Sequence, residues 1–167
     1  MARDQRPAIR HYRPVVPNAK DAVFRDLLRL IDEFGWAVRH VGAGTAKGEA
    51  AFTYTVGLTA MQHPEVVVTG LPSDVAKAFL NQIGQDVRGG KQFSAGQITD
   101  SLTTPAAPVV FIPADDVRGL TAVAQVYGRV EALQMVWPDS KGRLPWVEGY
   151  RNPPEAQPLL GDPPDQR

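Results

Sequence analysis

The segment 52–68 constrains the fold of this chain more than any other stretch. Residues 52–56 alternate between larger side chains and threonine, which predicts a half-buried β-strand. Residues 65–69 form a β-branched run without alternation, which is typical of a strand covered on both faces. The loop between the two strands, residues 58–64, contains His63. The chain is therefore expected to build a sheet around two neighbouring strands that this loop connects.

Apolar side chains recur at helical spacing in three other stretches, and each predicts an amphipathic helix. The clearest covers residues 18–34, where the apolar stripe runs from Val23 to Phe34 and a glycine follows as the stop. The other two helices are predicted at residues 72–88 and 113–127, each also followed by glycine. The β-branched and aromatic runs predict six strands, at residues 36–41, 51–57, 65–69, 97–102, 109–112 and 133–137.

The order of these elements lacks the strict strand–helix alternation of a doubly wound parallel fold. It predicts an α+β protein, a single domain in which three helices pack on a mostly antiparallel sheet of about six strands. The strand at 51–57 is expected to pair antiparallel with the strand at 36–41. The loop between them, residues 42–49, contains three glycines but fits neither phosphate-binding pattern, so it is interpreted as a flexible hairpin connection.

Composition divides the chain into three segments. Residues 1–17 are basic and are interpreted as a flexible lead-in, and residues 18–150 hold the predicted elements of one globular domain. Residues 151–167 form a proline-rich, charged tail that cannot build a core of its own. Within that tail, Leu159 and Leu160 are the candidates to dock on the domain.

The overall composition excludes several classes of chemistry and partner. The chain has no cysteine, which excludes thiolate chemistry and disulfides and is typical of a reducing compartment. Its 18 basic residues equal its 18 acidic residues, so no net field attracts nucleic acid or an anionic membrane. No apolar run reaches membrane-spanning length, and the basic N-terminus lacks the apolar stretch of a secretory signal. We therefore expect a cytoplasmic protein with no nucleic-acid or membrane partner.

No catalytic or metal-binding motif is present in the sequence. The histidines, His11, His40 and His63, lie in unrelated segments without zinc-site spacing, so no metal site is predicted. The nucleophile elbow of serine hydrolases is also missing. The sequence therefore identifies neither catalytic residues nor a cofactor.

His63 is the strongest single candidate for a functional residue. Loops carry functional groups disproportionately, and imidazole can transfer protons near neutral pH. Glu65 follows closely enough to orient the ring. The alternative interpretation is structural, with the imidazole simply bonded to the backbone at the start of the strand.

A second group of candidates surrounds the turn at residues 138–143. Asp139, Lys141 and Arg143 cluster there, and an anion could bind through bidentate contacts with the arginine. Trp137 and Trp146 flank the turn and could form the walls of a pocket or a peptide-binding face. The alternatives are a solvated hairpin tip and two aromatic rings that cover the edge of the sheet.

Two ordered motifs resemble a known family. They are Phe52-Thr53-Tyr54-Thr55-Val56-Gly57-Leu58-Thr59, with His63-Pro64-Glu65 and Gly70-Leu71-Pro72, and then Leu133-Gln134-Met135-Val136-Trp137-Pro138-Asp139, with Gly142-Arg143-Leu144-Pro145-Trp146 and Gly149-Tyr150. Both are similar to signatures of the bacterial family called domain of unknown function 4262, and Gly35-Trp36 fits its N-terminal part. The resemblance spans roughly residues 20–160 and implies a small stand-alone bacterial protein. The resemblance implies no activity, cofactor or catalytic residue. This chain departs from the family pattern at Ala60-Met61-Gln62, where a more polar loop is expected before the histidine.

Both motifs mix aromatic and ionisable residues, as pockets do. On this basis Tyr54, His63, Asp139 and Trp146 are predicted to approach one another at one end of the sheet and form the mouth of a pocket. Coordinates test this hypothesis directly, because it requires both loops to emerge at the same end.

Two functions fit the sequence. The first is a non-catalytic module that binds an unknown small molecule or protein, with candidate ligand-binding residues at Tyr54, His63, Glu65, Trp137, Asp139, Arg143 and Trp146. The second is a cofactor-dependent enzyme that binds a flavin or similar ring near His63. Its basis is the row of hydroxyls at Thr53, Thr55, Thr59 and Thr69, which strand propensity also explains.

Overall fold

A computed structural model of the chain describes residues 19–45, 49–103 and 107–164. The predicted lead-in, residues 1–17, and the first residue of the helix predicted at 18–34 lie outside the described residues. The described α-helices are α1 (Ala19–Phe34), α2 (Ser73–Arg88) and α3 (Thr121–Tyr127). The described strands are β1 (Ala37–Val41), β2 (Phe52–Val56), β3 (Glu65–Thr69), β4 (Ile98–Thr99), β5 (Val109–Pro113) and β6 (Ala132–Val136).

The strands form one six-stranded sheet in the order β1-β2-β3-β6-β5-β4. Every neighbouring pair is antiparallel except β3 and β6, which run parallel with Glu65 opposite Ala132. This confirms the predicted α+β fold with a mostly antiparallel sheet and three helices, and also the β1–β2 hairpin. We call the end of the sheet where β3 and β6 begin the Glu65 end, and the opposite end the Trp137 end.

Side chains cover both faces of the central strands. Helix α2 packs on one face, over a cluster that includes Leu80, Ile83 and Phe111, while α1 and α3 pack on the other around Leu27 and Val123. All five residues of β3 are buried, as the sequence predicts. The half-buried assignment for β2 is wrong, because its threonines are as inaccessible as its larger side chains beneath the α2 layer.

Helix α3 is much shorter than predicted, because tertiary contacts capture its expected first turns. Pro113 extends β5 opposite Leu133. The amides of Asp115 and Asp116 then donate to the carbonyl of Leu160, 2.8 and 2.9 Å away, instead of starting a helix. Strand β4 is also shorter than predicted, with two residues.

The apolar stripe of α1 is narrower than its sequence suggests. Leu27 is buried, and Phe24, Leu30 and Ile31 pack beside it on the core. Val23 and Phe34 were predicted to belong to this stripe, but the structure leaves them 50% and 46% exposed. The outer residues of the stripe therefore reach solvent, because the inner ones alone contact the core.

A tryptophan and a glycine join α2 to the start of the sheet. Trp36 is buried, and its Nε1 donates to Asn81 Oδ1 of α2 at 3.1 Å. A β-carbon built on Gly84 would lie 2.6 Å from Trp36 Nε1, closer than unbonded atoms pack. Gly84 therefore occupies a helix interior, despite its poor propensity there, because the indole fills the space of its side chain.

Gly84→Ala should destabilise the protein by about 1–2 kcal/mol, since overpacking against a rigid indole outweighs the gain in helix propensity. Urea unfolding followed by tryptophan fluorescence measures the change. Gln85→Ala, at the next and exposed position of α2, is the matched control and should leave the midpoint nearly unchanged. Equal stability of the two variants would contradict this account of the contact.

Candidate functional site

The carboxylate of Glu65 is fully buried at the start of β3. Its Oε1 accepts from Thr55 Oγ1 and the Leu58 amide, both at 2.9 Å. Its Oε2 accepts from the Gly57 amide at 3.2 Å and from the amide and hydroxyl of Thr59 at 3.0 and 2.6 Å. No ion pair of Glu65 occurs within the described ranges. Peptide and hydroxyl dipoles therefore surround this carboxylate in place of a cation.

The loop after β2 provides these donors because it forms a short 3₁₀ helix, Leu58–Met61. Amides at the start of a helix have no partner within it, and they favour an anion. Gly57 makes the entry possible with φ of 138°, and a β-carbon there would lie 2.6 Å from the Cα of Trp36. The short glycine turn and the buried glutamate thus form one local unit.

His63 lies 5% exposed beside this unit and has both ring nitrogens engaged. Nδ1 is 2.7 Å from the Pro64 carbonyl, and Nε2 is 2.9 Å from the amide of Phe93. Because an amide can only donate, Nε2 is the acceptor and Nδ1 carries the proton. The ring also meets Phe93 edge-on. His63 thus connects its loop to the segment after α2, and its ring makes no hydrogen bond with Glu65.

Two tyrosines contribute to the structure at α3, Tyr54 from beneath the helix and Tyr127 as its last residue. Tyr54 is fully buried, and its hydroxyl accepts the Ala122 amide at 3.2 Å, which satisfies a donor at the start of α3. Tyr127 is partly buried, and burial together with the nearby Glu65 charge raises its pKa to about 12. Its hydroxyl is therefore protonated at neutral pH.

Asp139 organises the turn after β6. Its Oδ1 accepts the amides of Lys141 and Arg143, and its Oδ2 accepts the amide of Arg151, each at 2.9 Å. Burial alone would raise the pKa of this carboxyl. The amides of Arg143, Arg151 and Lys141, together with the Arg143 charge, outweigh burial and lower the pKa below its ordinary value. Both oxygens of Asp139 are used in holding the turn together.

The remaining predicted residues also make contacts within the protein. Arg143 Nη1 donates to the Gly149 carbonyl at 2.7 Å, and Trp137 Nε1 donates to the Thr69 carbonyl at 2.8 Å. Trp137 packs with the cluster under α2, whereas Trp146 packs with the cluster around Val110, Ile112 and Val136. The two tryptophans therefore lie on opposite faces of the sheet and are not the walls of one pocket.

The predicted meeting of Tyr54, His63, Asp139 and Trp146 is wrong. His63 precedes β3, and Asp139 follows β6. Because β3 and β6 are parallel, the start of one strand and the finish of the other lie at opposite ends of the sheet. The two sequence motifs are thus separate pieces of architecture.

An open cleft of about 230 Å³ lies at the Glu65 end, lined by Thr59, Gln62, His63, Pro64, Arg129 and Glu131. Gln62 has φ of 59°, a positive value that no other non-glycine residue in the described ranges adopts. The side chains of Gln62, Arg129 and Glu131 are exposed and form no hydrogen bond or ion pair with the described residues.

Sequence reasoning missed Gln62, Arg129 and Glu131 as site residues. Gln62 was noticed only as part of an unexpectedly apolar loop. Arg129 and Glu131 lie between a helix stop and a strand, a context without a recognisable signal. They line the cleft because the parallel pairing brings the start of β6 beside the loop before β3.

Groups of potential metal ligands and membrane-spanning helices are both absent from the part of the chain that the structure describes. Within residues 19–45, 49–103 and 107–164, no three His, Asp or Glu side chains are grouped so that they could hold a metal ion. Of the helices in these ranges, none combines the length and apolar character needed to cross a membrane.

The sheet order, the two-sided core and the buried glutamate define a small α+β protein with one mixed sheet. Residues 30–151 match the family model described as domain of unknown function (DUF4262), and this chain belongs to that family. Among curated proteins and among solved structures, none matches the chain at a significant level.

Glu65→Gln should destabilise the protein by about 3 kcal/mol, because an amide nitrogen replaces an acceptor that buried donors require. Urea unfolding at neutral pH measures the loss. Glu131→Gln makes the same chemical change at an exposed position nearby and should shift the stability by less than about 0.5 kcal/mol. The assignment of Glu65 as the centre of the network fails if the two variants are equally stable.

Asp139→Asn should lower stability at neutral pH and have a smaller effect in acid. The folded-state pKa of Asp139 lies below the unfolded value. Its carboxylate therefore stabilises the fold above the unfolded pKa, and this contribution is lost as the pH falls through the folded-state pKa. Urea unfolding from about pH 5 to about pH 2 should show the variant and wild type converging. A stability difference that does not change with pH would refute this role.

Proposed function

We propose that this protein is a non-catalytic binding module whose cleft at the Glu65 end takes a small molecule carrying an anionic group beside a hydrogen-bond donor or cation. The main support is that the cleft combines three exposed polar side chains without partners among the described residues, Gln62, Arg129 and Glu131. The proposal includes a cytoplasmic location, which the cysteine-free sequence supports.

The state of the buried ionisable groups favours binding over catalysis. A general base needs an available lone pair within reach of the substrate. The His63 nitrogens already bond to the backbone, and the Glu65 oxygens accept five hydrogen bonds. Neither group offers a free atom to a molecule in the cleft.

The charges around the cleft determine the class of ligand. The guanidinium of Arg129 offers a planar set of donors to a carboxylate or phosphate. Glu131, two residues later, disfavours a doubly charged anion but favours a ligand that also carries an ammonium or another donor. The amide of Gln62 can serve either part. A zwitterion of the size of a free amino acid satisfies these requirements.

A second groove fits this function less well. It has a volume of about 540 Å³ and is lined by Asp74, Val75, Ala78, Phe79, Gln82, Ser101 and Leu102. Its lining contains no basic residue, so it offers an anionic group no cationic partner. The cleft at the Glu65 end is therefore the better candidate for a polar ligand.

The alternative of a flavin-dependent enzyme has no observation in its favour. Thr53 bonds to the His40 ring at 2.8 Å, and Thr55 and Thr59 donate to Glu65. Thr69 donates to the Pro158 carbonyl at 2.8 Å. The hydroxyls that suggested a cofactor framework are thus engaged inside the protein.

Isothermal titration with the free amino acids, acetate and inorganic phosphate tests the proposal. At least one amino acid should bind, and Arg129→Ala should weaken its affinity by about tenfold or more, because a charge-assisted contact is worth roughly 1.5–3 kcal/mol. Arg25→Ala removes an exposed charge from α1 and is the matched control. The affinity of this control variant should equal that of the wild type.

Two outcomes of this titration would contradict the proposal. If no probe binds at millimolar concentration to the folded protein, the proposed ligand class is wrong. If a probe binds and is chemically converted, as detected by mass spectrometry of the mixture, the protein is an enzyme and the non-catalytic assignment is wrong.

A further inference from the structure

The hydroxyl of Thr59 connects the buried carboxylate of Glu65 with the cleft at the Glu65 end. Thr59 is partly exposed and lines that cleft, whereas Glu65 is fully buried. Thr59 Oγ1 lies 2.6 Å from Glu65 Oε2, a short distance that is typical of a charge-assisted hydrogen bond. Because an ionised carboxylate can only accept, the hydroxyl proton of Thr59 points at Glu65. The same hydroxyl can then only accept from a molecule in the cleft.

Thr55 shows how this arrangement is completed inside the protein. Thr55 Oγ1 donates to Glu65 Oε1 at 2.9 Å and also accepts the Val66 amide at 3.0 Å. Thr59 Oγ1 donates to the same carboxylate, but no donor in the part of the chain that the structure describes bonds to it. Thr55 is fully buried, while Thr59 lines the cleft. The acceptor position that the Val66 amide fills at Thr55 is therefore left to a ligand at Thr59.

Other groups of the cleft lining extend this acceptor character. Glu131 has an exposed carboxylate and Gln62 an exposed amide oxygen, and neither bonds to another described residue. His63 adds no acceptor, because both of its ring nitrogens bond to the backbone. With the hydroxyl oxygen of Thr59, the lining thus offers three acceptors, as many as the N–H donors of an ammonium group.

The charges at the cleft also favour a cation. Five dipolar donors surround the charge of Glu65, with no cation among the described residues beside it. This charge acts beyond its own hydrogen bonds, since burial together with the Glu65 charge raises the pKa of Tyr127 to about 12. Glu131 adds a second carboxylate, and Arg129 supplies one guanidinium. The excess of negative charge favours a positively charged group in the cleft.

We propose that Thr59 is a specificity-determining residue whose hydroxyl oxygen, together with Glu131 and Gln62, forms an ammonium subsite in this cleft. The ligand group is a protonated primary amine, such as the ammonium of a free amino acid. Arg129 holds the carboxylate of the same ligand. This inference rests on the function proposed above and assigns the cationic half of the ligand to particular atoms of the protein.

Two fragments of alanine test the two halves separately. Ethylammonium is alanine without its carboxylate, and propionate is alanine without its ammonium. Each is titrated into the full chain at neutral pH and equal ionic strength, and the affinity is measured from the amide chemical shifts of Gln62 and His63. Thr59→Val should weaken ethylammonium binding about tenfold or more and leave propionate binding unchanged. Thr59→Ser keeps the hydroxyl and should bind ethylammonium as the wild type does.

A second variant leaves the hydrogen bonds of Glu65 intact. Glu131→Gln removes one exposed charge and should weaken ethylammonium binding about threefold or more without weakening propionate binding. Thr99→Val makes the same change as Thr59→Val at a partly exposed position of β4 and is the matched control. This control variant should bind both fragments as the wild type does.

The outcomes separate this inference from the function on which it rests. If Thr59→Val loses ethylammonium and propionate equally, the hydroxyl only holds the loop, and the inference is wrong while the cleft remains a binding site. Equal shifts with tetramethylammonium, a cation without N–H donors, would also overturn it, as would no shift with ethylammonium in the folded wild type. If ethylammonium binds and Thr59→Val abolishes this, but propionate never binds, the ammonium subsite is supported and the anionic half of the proposed ligand is wrong.

Discussion

The buried carboxylate of Glu65 is the interaction on which the rest of this structure depends. It gathers the finish of β2, the 3₁₀ helix and the start of β3 into one unit through five hydrogen bonds. The Glu65 amide also donates to the Glu131 carbonyl at 2.9 Å, which brings the start of β6 to the same place. A buried charge without a cation is stable only where fixed donors replace the lost water, and this requirement holds the loop in one conformation.

The parallel pairing of β3 with β6 determines which side chains meet at each end of the sheet. It places the two sequence motifs at opposite ends of the sheet, so each end has its own polar arrangement. At the Glu65 end, the buried side chains of Glu65 and His63 have all their polar atoms in hydrogen bonds within the protein. The exposed residues Gln62, Arg129 and Glu131 line a cleft there. On the strand pair itself, Gln134 and Thr69 bond to the backbone of Pro158 and Leu160 in the C-terminal segment. The molecule thus combines an open polar cleft at one end with a sheet centre that its own C-terminal segment covers.

The candidate residues of the two sequence motifs form hydrogen bonds within the protein. His63, Asp139 and Trp137 each bond to backbone groups of distant segments, and they connect parts of the fold that local hydrogen bonds cannot reach. In this protein, the mixture of aromatic and ionisable residues in the two motifs therefore indicated polar contacts inside the fold. The side chains without partners among the described residues belong to Gln62, Arg129 and Glu131. These residues are exposed, and the sequence around them contains no pattern that predicts a site.

Local periodicity alone determined the helices α1 and α2, the strands β1 to β3 and the antiparallel hairpin, because their side-chain patterns and glycine stops act over a few residues. Tertiary structure decided the rest. Asp115 and Asp116 look like the start of a helix, but their amides bond to Leu160, far along the chain. Gln134 looks like an ordinary strand residue, but its side chain bonds to the backbone of Pro158 and Leu160. These outcomes depend on the pairing of β3 with β6 and on the return of the C-terminal segment, and contacts between segments so distant in sequence leave no periodic pattern from which they could be predicted.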